Sequence, residues 1–416
     1  MAHQEVRRPA FPDFPRPEIS YGLPFDQACA NYLKNDIHAS RIYIIASNSL
    51  SKNTDALARL KSAIGPDRII GVRVGMTSHT PWSETLEVVN AIKSANNGNG
   101  DADAIVTLGA GSLTDAAKVV ALCLANNATT TSHLAALDSR GDWTRLRPDL
   151  HPPTARIVCV PTTLSGGEYS GLGAATNDSS GEKTIFAAPA HPPSLVVLDA
   201  QLSTTTPERV WLSTGFRAVD HCVETLCGVP ERRDEAADES AKEGLKKLVP
   251  GLLRCKKDGA DTEARHACQM GVVEAMAAVR RGVDLGASHG VGHQLGPLGV
   301  GHGETSCVLL PAVCRYNRNV NARRQEVVEG VIWEEETVAK VLGRRGLRKG
   351  EAELGELLRA IVEELGMPCS LKDVGVGQDK FEGLAKNSLK DRWSGTNPVP
   401  LKEDNQVLEI LKMVAG

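Results

Sequence analysis

Three of the chain's eleven histidines fall in one nearly uncharged run, residues 286–317, GASHGVGHQLGPLGVGHGETSCVLLPAVCRYN. His289 and His293 are four apart, so on a helix both project from one face, a turn from each other. His302 follows the Gly299-Val300-Gly301 segment, which can fold back and bring a third imidazole to the same point. Imidazole is the usual ligand of divalent transition metals and the side chain best suited to moving protons near neutral pH. A lone histidine on an apolar face is more often a satisfied core residue. Three together, with glycines at 286, 290, 292 and 296 weakening the helix that carries them, argue for chemistry over packing.

A second candidate lies in the first half. The strand-like run 104–108 passes straight into Gly109-Ala110-Gly111-Ser112-Leu113-Thr114-Asp115-Ala116-Ala117-Lys118. A glycine-rich turn between strand and helix lets backbone N–H groups approach a pyrophosphate at the helix N-terminus. Alone, Gly-x-Gly is a weak signal, since a plain tight turn looks the same. Another short run, 157–160, leads into Pro161-Thr162-Thr163-Leu164-Ser165-Gly166-Gly167-Glu168. Hydroxyls and glycines at the carboxyl end of a strand line the crevice where open α/β sheets bind ligands.

The elements that must position these residues divide the chain. Short β-branched runs at 41–47, 68–74, 104–108, 157–160 and 195–199 alternate with helical patterns at 53–64 and 84–96, the latter ended by Asn97-Gly98-Asn99-Gly100. That alternation implies right-handed crossovers and a mostly parallel sheet. After Asp199 helical periodicity dominates, at 208–227, 236–253, 261–279, 351–365 and 403–414. The expected organisation is an α/β dinucleotide-binding domain over 1–199 and an all-α domain over 200–416 carrying the histidines.

Composition narrows the function. A formal net charge of −4 leaves no basic surplus for phosphate backbones, and 4% aromatics disfavour a base-stacking surface, so no nucleic-acid partner is expected. Ten cysteines without a C-x-x-C pair suit reduced thiols in a cytoplasmic setting. The first 20 residues lack an apolar h-region, and 119–137 contains Asn126, Asn127 and three threonines, so neither signal peptide nor membrane span is expected.

At Gly215-Phe216-Arg217-Ala218-Val219-Asp220-His221-Cys222-Val223-Glu224 a wider pattern emerges. The GAGSLTDAAK turn, the PTTLSGGE segment, this G-x-x-A-x-x-H-x-x-E helix and the H-x3-H…H run occur in the order and spacing of the iron-containing (group III) alcohol dehydrogenase superfamily, which the chain resembles. Ser78-His79-Thr80-Pro81, His302-Gly303-Glu304-Thr305 and Asn397-Pro398-Val399-Pro400-Leu401 resemble its maleylacetate reductase branch. The resemblance covers nearly the whole chain and implies a dehydroquinate synthase-like architecture and a homodimer.

What it implies for the site can be stated residue by residue. Gly109, Ala110, Gly111 and Ser112 match the pyrophosphate-binding G-G-G-S, with Ala110 in place of the middle glycine. Thr162, Thr163, Leu164 and Ser165 match the segment embracing adenosine and ribose, and Lys183 the lysine at the nicotinamide-side ribose. Asn48, after the first strand, and Asp115 complete the expected NAD(P)H-binding set. Lacking an acidic residue at 46–49, the chain permits NADP as well as NAD. His221, His289 and His302 match three of the four metal ligands, and His293 the histidine that relays a proton near the nicotinamide.

The fourth ligand departs from the pattern. Metal-dependent members carry an Asp four residues before the first ligand histidine; here that position is Arg217, which offers only donors and repels a cation. The expectation is therefore an NAD(P)H-dependent reduction of a small carbonyl or unsaturated acid without bound metal. Arg217 would clamp a carboxylate or stabilise an oxyanion, and His293 would be the general acid among His221, His289 and His302. Two alternatives stay open: a metal-dependent alcohol dehydrogenase using three histidines with Asp220 or water, and a non-redox lyase, cyclase or ligand-binding protein on the same scaffold.

Overall fold

The computed structural model describes residues 4–77, 79–95, 101–139, 147–187, 189–229, 231 and 233–416. Ser78 and the turn expected at 97–100 lie outside them. The chain divides into two compact units, Met1–Thr205 and Thr206–Gly416.

Among the described residues, the first unit is built on nine strands: β1 Val6–Phe11, β2 Phe14–Tyr21, β3 Ile42–Ala46, β4 Ile69–Val74, β5 Ala104–Gly109, β6 Arg156–Pro161, β7 Gly173–Thr176, β8 Lys183–Phe186 and β9 Leu195–Val197. Seven form one sheet in the order β1-β2-β9-β6-β5-β3-β4, and β7 pairs with β8 separately. Every pairing in the large sheet is parallel except β1 with β2. Ile42, Ile44, Val106, Leu108, Val158, Val160, Leu195 and Val197 are all buried in one apolar cluster, which is why the central strands read as continuous β-branched runs.

The β1–β2 hairpin is not legible in the sequence. Pro9, Pro15 and Pro17 argue against strand, because proline cannot donate to a ladder. The structure accommodates them by placing β1 at the sheet edge and joining β2 to β9 only through Glu18, Ile19 and Ser20.

The register matters for the site. β5 pairs with β6 until Gly109 faces Pro161, the Thr162 N–H donates to the Gly109 carbonyl at 3.1 Å, and the Ser47 N–H donates to the Leu108 carbonyl at 2.8 Å. The carboxyl ends of β3, β5 and β6 therefore present Ser47, Gly109 and Thr162 side by side. Helix α1, Gly111–Ala125, starts there.

The second unit is helical, as expected. Its main helices are α2 Glu208–Cys227, α3 Glu235–Lys257, α4 Thr262–Arg280, α5 Ala287–Leu295 and α6 His302–Glu334. The length of α6 is hidden from sequence reading: Pro311 lies inside it and Asn321 leaves helical geometry at φ −128°, ψ 22°, which obscures the period. Among the described residues, no helix is long and apolar enough to cross a membrane.

Candidate active site

Two groups of expected residues assemble, one in each unit. In the first, Gly109 has φ +145°, and a Cβ there would lie 2.7 Å from both Ser47 Cβ and Leu113 Cδ1. Only glycine lets the chain turn at this point. Ala110 is the N-cap of α1, with no side-chain hydrogen bond, so the first N–H groups of the helix remain unclaimed by a cap. A Cβ on Gly111 would meet Ser165 Oγ at 2.9 Å, and Ser165 Oγ lies 3.1 Å from Thr163 Oγ1. The turn at Gly109–Ser112 and the segment Thr162–Ser165 are thus neighbours. Thr162 and Leu164 are buried, and Asn48 is exposed at the start of the short helix Asn48–Asn53 that follows β3.

Asp115 sits in the first turns of α1 with Oδ1 3.6 Å from Lys118 Nζ, and burial raises its pKa. Lys183 is exposed on β8, close enough for its charge to act on Asp115 and His79. An uncapped helix N-terminus, a positive-φ glycine and adjoining hydroxyls fit a dinucleotide pyrophosphate.

In the second unit, helix α5 must form despite Gly290 and Gly292, and its N-terminus is secured from outside. The Gly286 and Ser288 N–H groups donate to Glu224 Oε2 and Oε1, each at 2.9 Å, and the Ala287 N–H donates to Asn397 Oδ1 at 3.1 Å. Three otherwise orphaned donors are satisfied by side chains distant in sequence. Glu224 also meets the first catalytic candidate, with His289 Nδ1 2.7 Å from Oε2. His289 is buried, and its Nε2, on the far side of the ring, has no hydrogen-bond partner among the described residues. Burial first, then the Arg217 charge, holds its pKa well below the usual histidine value.

Arg217, Asp220, His221 and Glu224 all lie on α2, within two turns of one another. Arg217 is only 2% exposed. Its Nη1 donates to Thr305 Oγ1 at 3.3 Å and to Ser306 Oγ at 3.1 Å, while its Nε has no hydrogen-bond partner among the described residues. Ser306 in turn donates to Asp220 Oδ2 at 2.5 Å, and Ser288 donates to the same oxygen at 2.8 Å. The result is a guanidinium joined to a carboxyl through one serine. Burial raises the pKa of Asp220 against the pull of Arg217, and the same burial lowers that of Arg217. Arg217 is therefore a buried, hydrogen-bonded guanidinium and not an exposed one.

The four histidines come together around these groups. The His221 ring lies 4.6 Å from that of His289, centre to centre, inclined by 31°. His293 stands edge-on to His289 at 6.3 Å and is stacked with His302 at 6.3 Å and 8°. Burial, then Arg217, pushes His221 down to about 3, so it is neutral at pH 7. His302 is exposed at the first position of α6, and His293 is half-buried. His293 Nδ1 lies 2.8 Å from Asp391 Oδ2.

Two of these partners, Glu224 and Asp391, are not among the residues that sequence reasoning selects. Glu224 carries a usable signal, since His-x-x-Glu places it on the same helical face as His221. Asp391 carries none, because it stands 98 residues after His293 with no local pattern between them.

Residues 23–200 match the family "iron-containing alcohol dehydrogenase", and residues 211–415 its C-terminal counterpart, "Fe-containing alcohol dehydrogenase family, C-terminal". The dehydrogenase ALT3 of Alternaria alternata is 40% identical over 391 residues, spanning 89% of this chain and 98% of its own. The structure of maleylacetate reductase from Rhizobium sp. strain MTP-10005 superposes with a TM-score of 0.72 at 24% identity, covering 99% of this chain and 98% of that one. A sulfoacetaldehyde reductase from Bifidobacterium kashiwanohense, solved in complex with NAD+, gives 0.76 at 18% identity over 96% of both chains. The two-part match across almost the whole length, with the strand–turn–helix and the histidine cluster where they stand, makes this chain an oxidoreductase belonging to the iron-containing alcohol dehydrogenase family.

Proposed function

We propose that this oxidoreductase reduces a small carbonyl or unsaturated acid, in the manner of a maleylacetate reductase, with NAD(P)H and without a resident metal. The observation that carries the reading is Arg217: a buried guanidinium stands where metal-dependent members have a ligand Asp, hydrogen-bonded to Thr305 and Ser306. An Arg cannot ligate, and its fixed charge opposes a divalent cation beside it.

The three histidines expected as ligands do not bring their donor atoms together as one compact set either. Among the described residues, the one group of three whose ligand atoms lie within 4.8 Å of one another is Asp220, Glu224 and His289, not the three histidines. Within that trio Glu224 is held by two backbone N–H groups and His289, and Asp220 Oδ2 by two serines, while Asp220 Oδ1 and His289 Nε2 have no hydrogen-bond partner among the described residues.

The nicotinamide, when bound, supplies hydride to the electrophilic carbon. This chain's residues do the rest. Gly109–Ser112 and Thr162–Ser165 hold the dinucleotide phosphates and ribose. Arg217 provides a preorganised positive charge for the oxyanion or enolate that hydride addition creates, in a buried setting where such charge is worth more than in water. Neutral His221 and His289 line the site, and His293 passes a proton to the product.

The test is metal content by elemental analysis on protein purified without added metal, with NADH and NADPH oxidation followed before and after chelator. Maleylacetate serves as the acidic probe and butanal as the plain one. Turnover of maleylacetate by metal-free protein, unaffected by chelator, is expected. One metal per chain, with activity lost to chelator, overturns the reading. It would favour a metal-dependent alcohol dehydrogenase, for which the compact Asp220–Glu224–His289 trio is the supporting observation.

A further inference from the structure

The segment after residue 388 is fastened to α5 by contacts that sequence gives no hint of. Gly290 has no side chain at the point where Ser394 approaches: a Cβ there would lie 2.7 Å from Ser394 Oγ and 2.9 Å from its backbone N. Arg392 Nη2 donates to Asp284 Oδ1 at 2.7 Å, and Thr396 Oγ1 donates to the Leu285 carbonyl at 2.7 Å. Ser394 Oγ donates to the Ser388 carbonyl at 2.7 Å, closing the segment on itself. The two oxygens of Asp391 divide their work. Oδ1 accepts the Trp393 N–H at 3.0 Å and caps the short helix Arg392–Gly395, while Oδ2 faces His293 Nδ1 at 2.8 Å.

We infer that Asp391 is a positioning residue for the reduction: it fixes the ring of His293 with Nδ1 turned to the carboxylate, so that Nε2 is the nitrogen that takes up and passes on the proton. This rests on the reading of His293 as the proton donor. A carboxylate accepts, so the facing nitrogen carries the hydrogen, and the ring is left with one tautomer and one orientation. The Asp391 side chain is only 16% exposed, so the anchor is partly shielded from water, and the contacts of its segment with α5 and the residues just before it set its place.

The experiment is a double-mutant cycle on the full chain, with maleylacetate and NADH as probes and ring tautomers read by 15N NMR of histidine-labelled protein. Asp391→Asn keeps an oxygen for the Trp393 cap and removes the anion; Asp391→Ser, an equally good N-cap, serves if the first does not accumulate folded. Asp391→Asn is expected to lower kcat by about 10- to 100-fold with KM changed less than about 3-fold, and His293→Ala to lower it by about 100-fold or more. The double variant is expected to be no slower than His293→Ala, and the His293 Nδ1–H signature to be lost in Asp391→Asn. If Asp391→Asn slows the His293→Ala enzyme by the same factor as the wild type, or leaves the His293 tautomer unchanged, the positioning role is overturned while the role of His293 stands. If His293→Ala itself turns over at the wild-type rate, the reading of His293 falls and the inference with it.

Discussion

The carboxylate of Glu224 holds His289 and the start of the helix that carries His289 at once. Nδ1 of the ring lies 2.7 Å from Oε2, while the N–H groups of Gly286 and Ser288 occupy the two oxygens at 2.9 Å. One buried side chain on α2 therefore fixes both where α5 begins and how one of its histidines is turned. Burial and the nearby Asp220 carboxyl raise its pKa well above the ordinary value, while the backbone N–H groups pull the other way.

Removing that side chain should cost far more than a surface ion pair. Glu224→Ala leaves two backbone donors and an imidazole nitrogen buried without partners, each worth about 1–3 kcal/mol. The expected loss is about 3 kcal/mol or more, read as a fall in the urea midpoint at constant slope. Glu224→Gln should also destabilise, because its NH2 must face a backbone N–H where an oxygen now accepts. A loss below about 1 kcal/mol in both variants would show that the helix start is secured by Asn397 alone.

Arg217→Asp should convert the site toward metal binding. A carboxylate four residues before His221 restores the arrangement that metal-dependent members of the family carry, and it removes the charge that opposes a cation. Calorimetric titration with Zn2+ is expected to show one site per chain in the variant and none in the wild type. Metal-free turnover of maleylacetate should fall by about 100-fold or more, the scale on which a single oxyanion donor acts. Equal zinc uptake by both proteins would sink the idea that Arg217 decides metal content.

Much of this arrangement is legible because it rests on local patterns. The parallel sheet follows from β-branched runs such as Ile42–Ala46, fully buried, and the Gly109–Ser112 turn follows from glycine at a strand end. His289 and His293 share a helix, so their spacing alone relates them. What escapes such reading is tertiary. Nothing near Pro9 or Pro17 reveals that the sheet tolerates them at its edge and before its pairing residues. Nothing near residue 293 announces Asp391, because the contact is made by Gly290 admitting Ser394. The sequence alone tells that Arg217 breaks the metal pattern; that Ser306 links it to Asp220 depends on how α6 packs beside α2.

Gly290→Ala tests that close approach. On helix propensity alone, alanine is favoured by about 1 kcal/mol. Here the new methyl meets the Ser394 backbone N at 2.9 Å and the Trp393 carbonyl carbon at 3.3 Å, which cannot rotate away. Overpacking of this kind costs about 1–3 kcal/mol, so a net destabilisation is expected together with a loss of kcat as Asp391 shifts. Gly330→Ala is the control: it lies in α6 with nothing within 4 Å of the added Cβ, and should be stabilising. Thermal melts of the two variants moving in the same direction would contradict a tight seat at Gly290.

Glu168 gives the first unit a pH dependence of its own. It is 1% exposed, its Oε1 has no hydrogen-bond partner among the described residues, and burial raises its pKa from 4.5 to about 7 against the pull of Lys118. Lys118 does not reach it with a hydrogen bond, because its Nζ is spent on the Gly167 and Leu172 carbonyls at 2.7 and 2.6 Å. The folded carboxyl thus keeps its proton over a range where the unfolded one has lost it. Below 4.5 both states are protonated and the contribution is fully present; as pH rises to about 7 it is lost, because unfolding then releases a proton. The loss is on the order of 3 kcal/mol at most, since each tenfold change in proton affinity is worth about 1.4 kcal/mol. Glu168→Gln cannot ionise, so its urea stability should decline less than that of the wild type between about pH 5 and pH 8. Parallel declines in the two proteins would mean that Glu168 finds a partner for its charge when ionised.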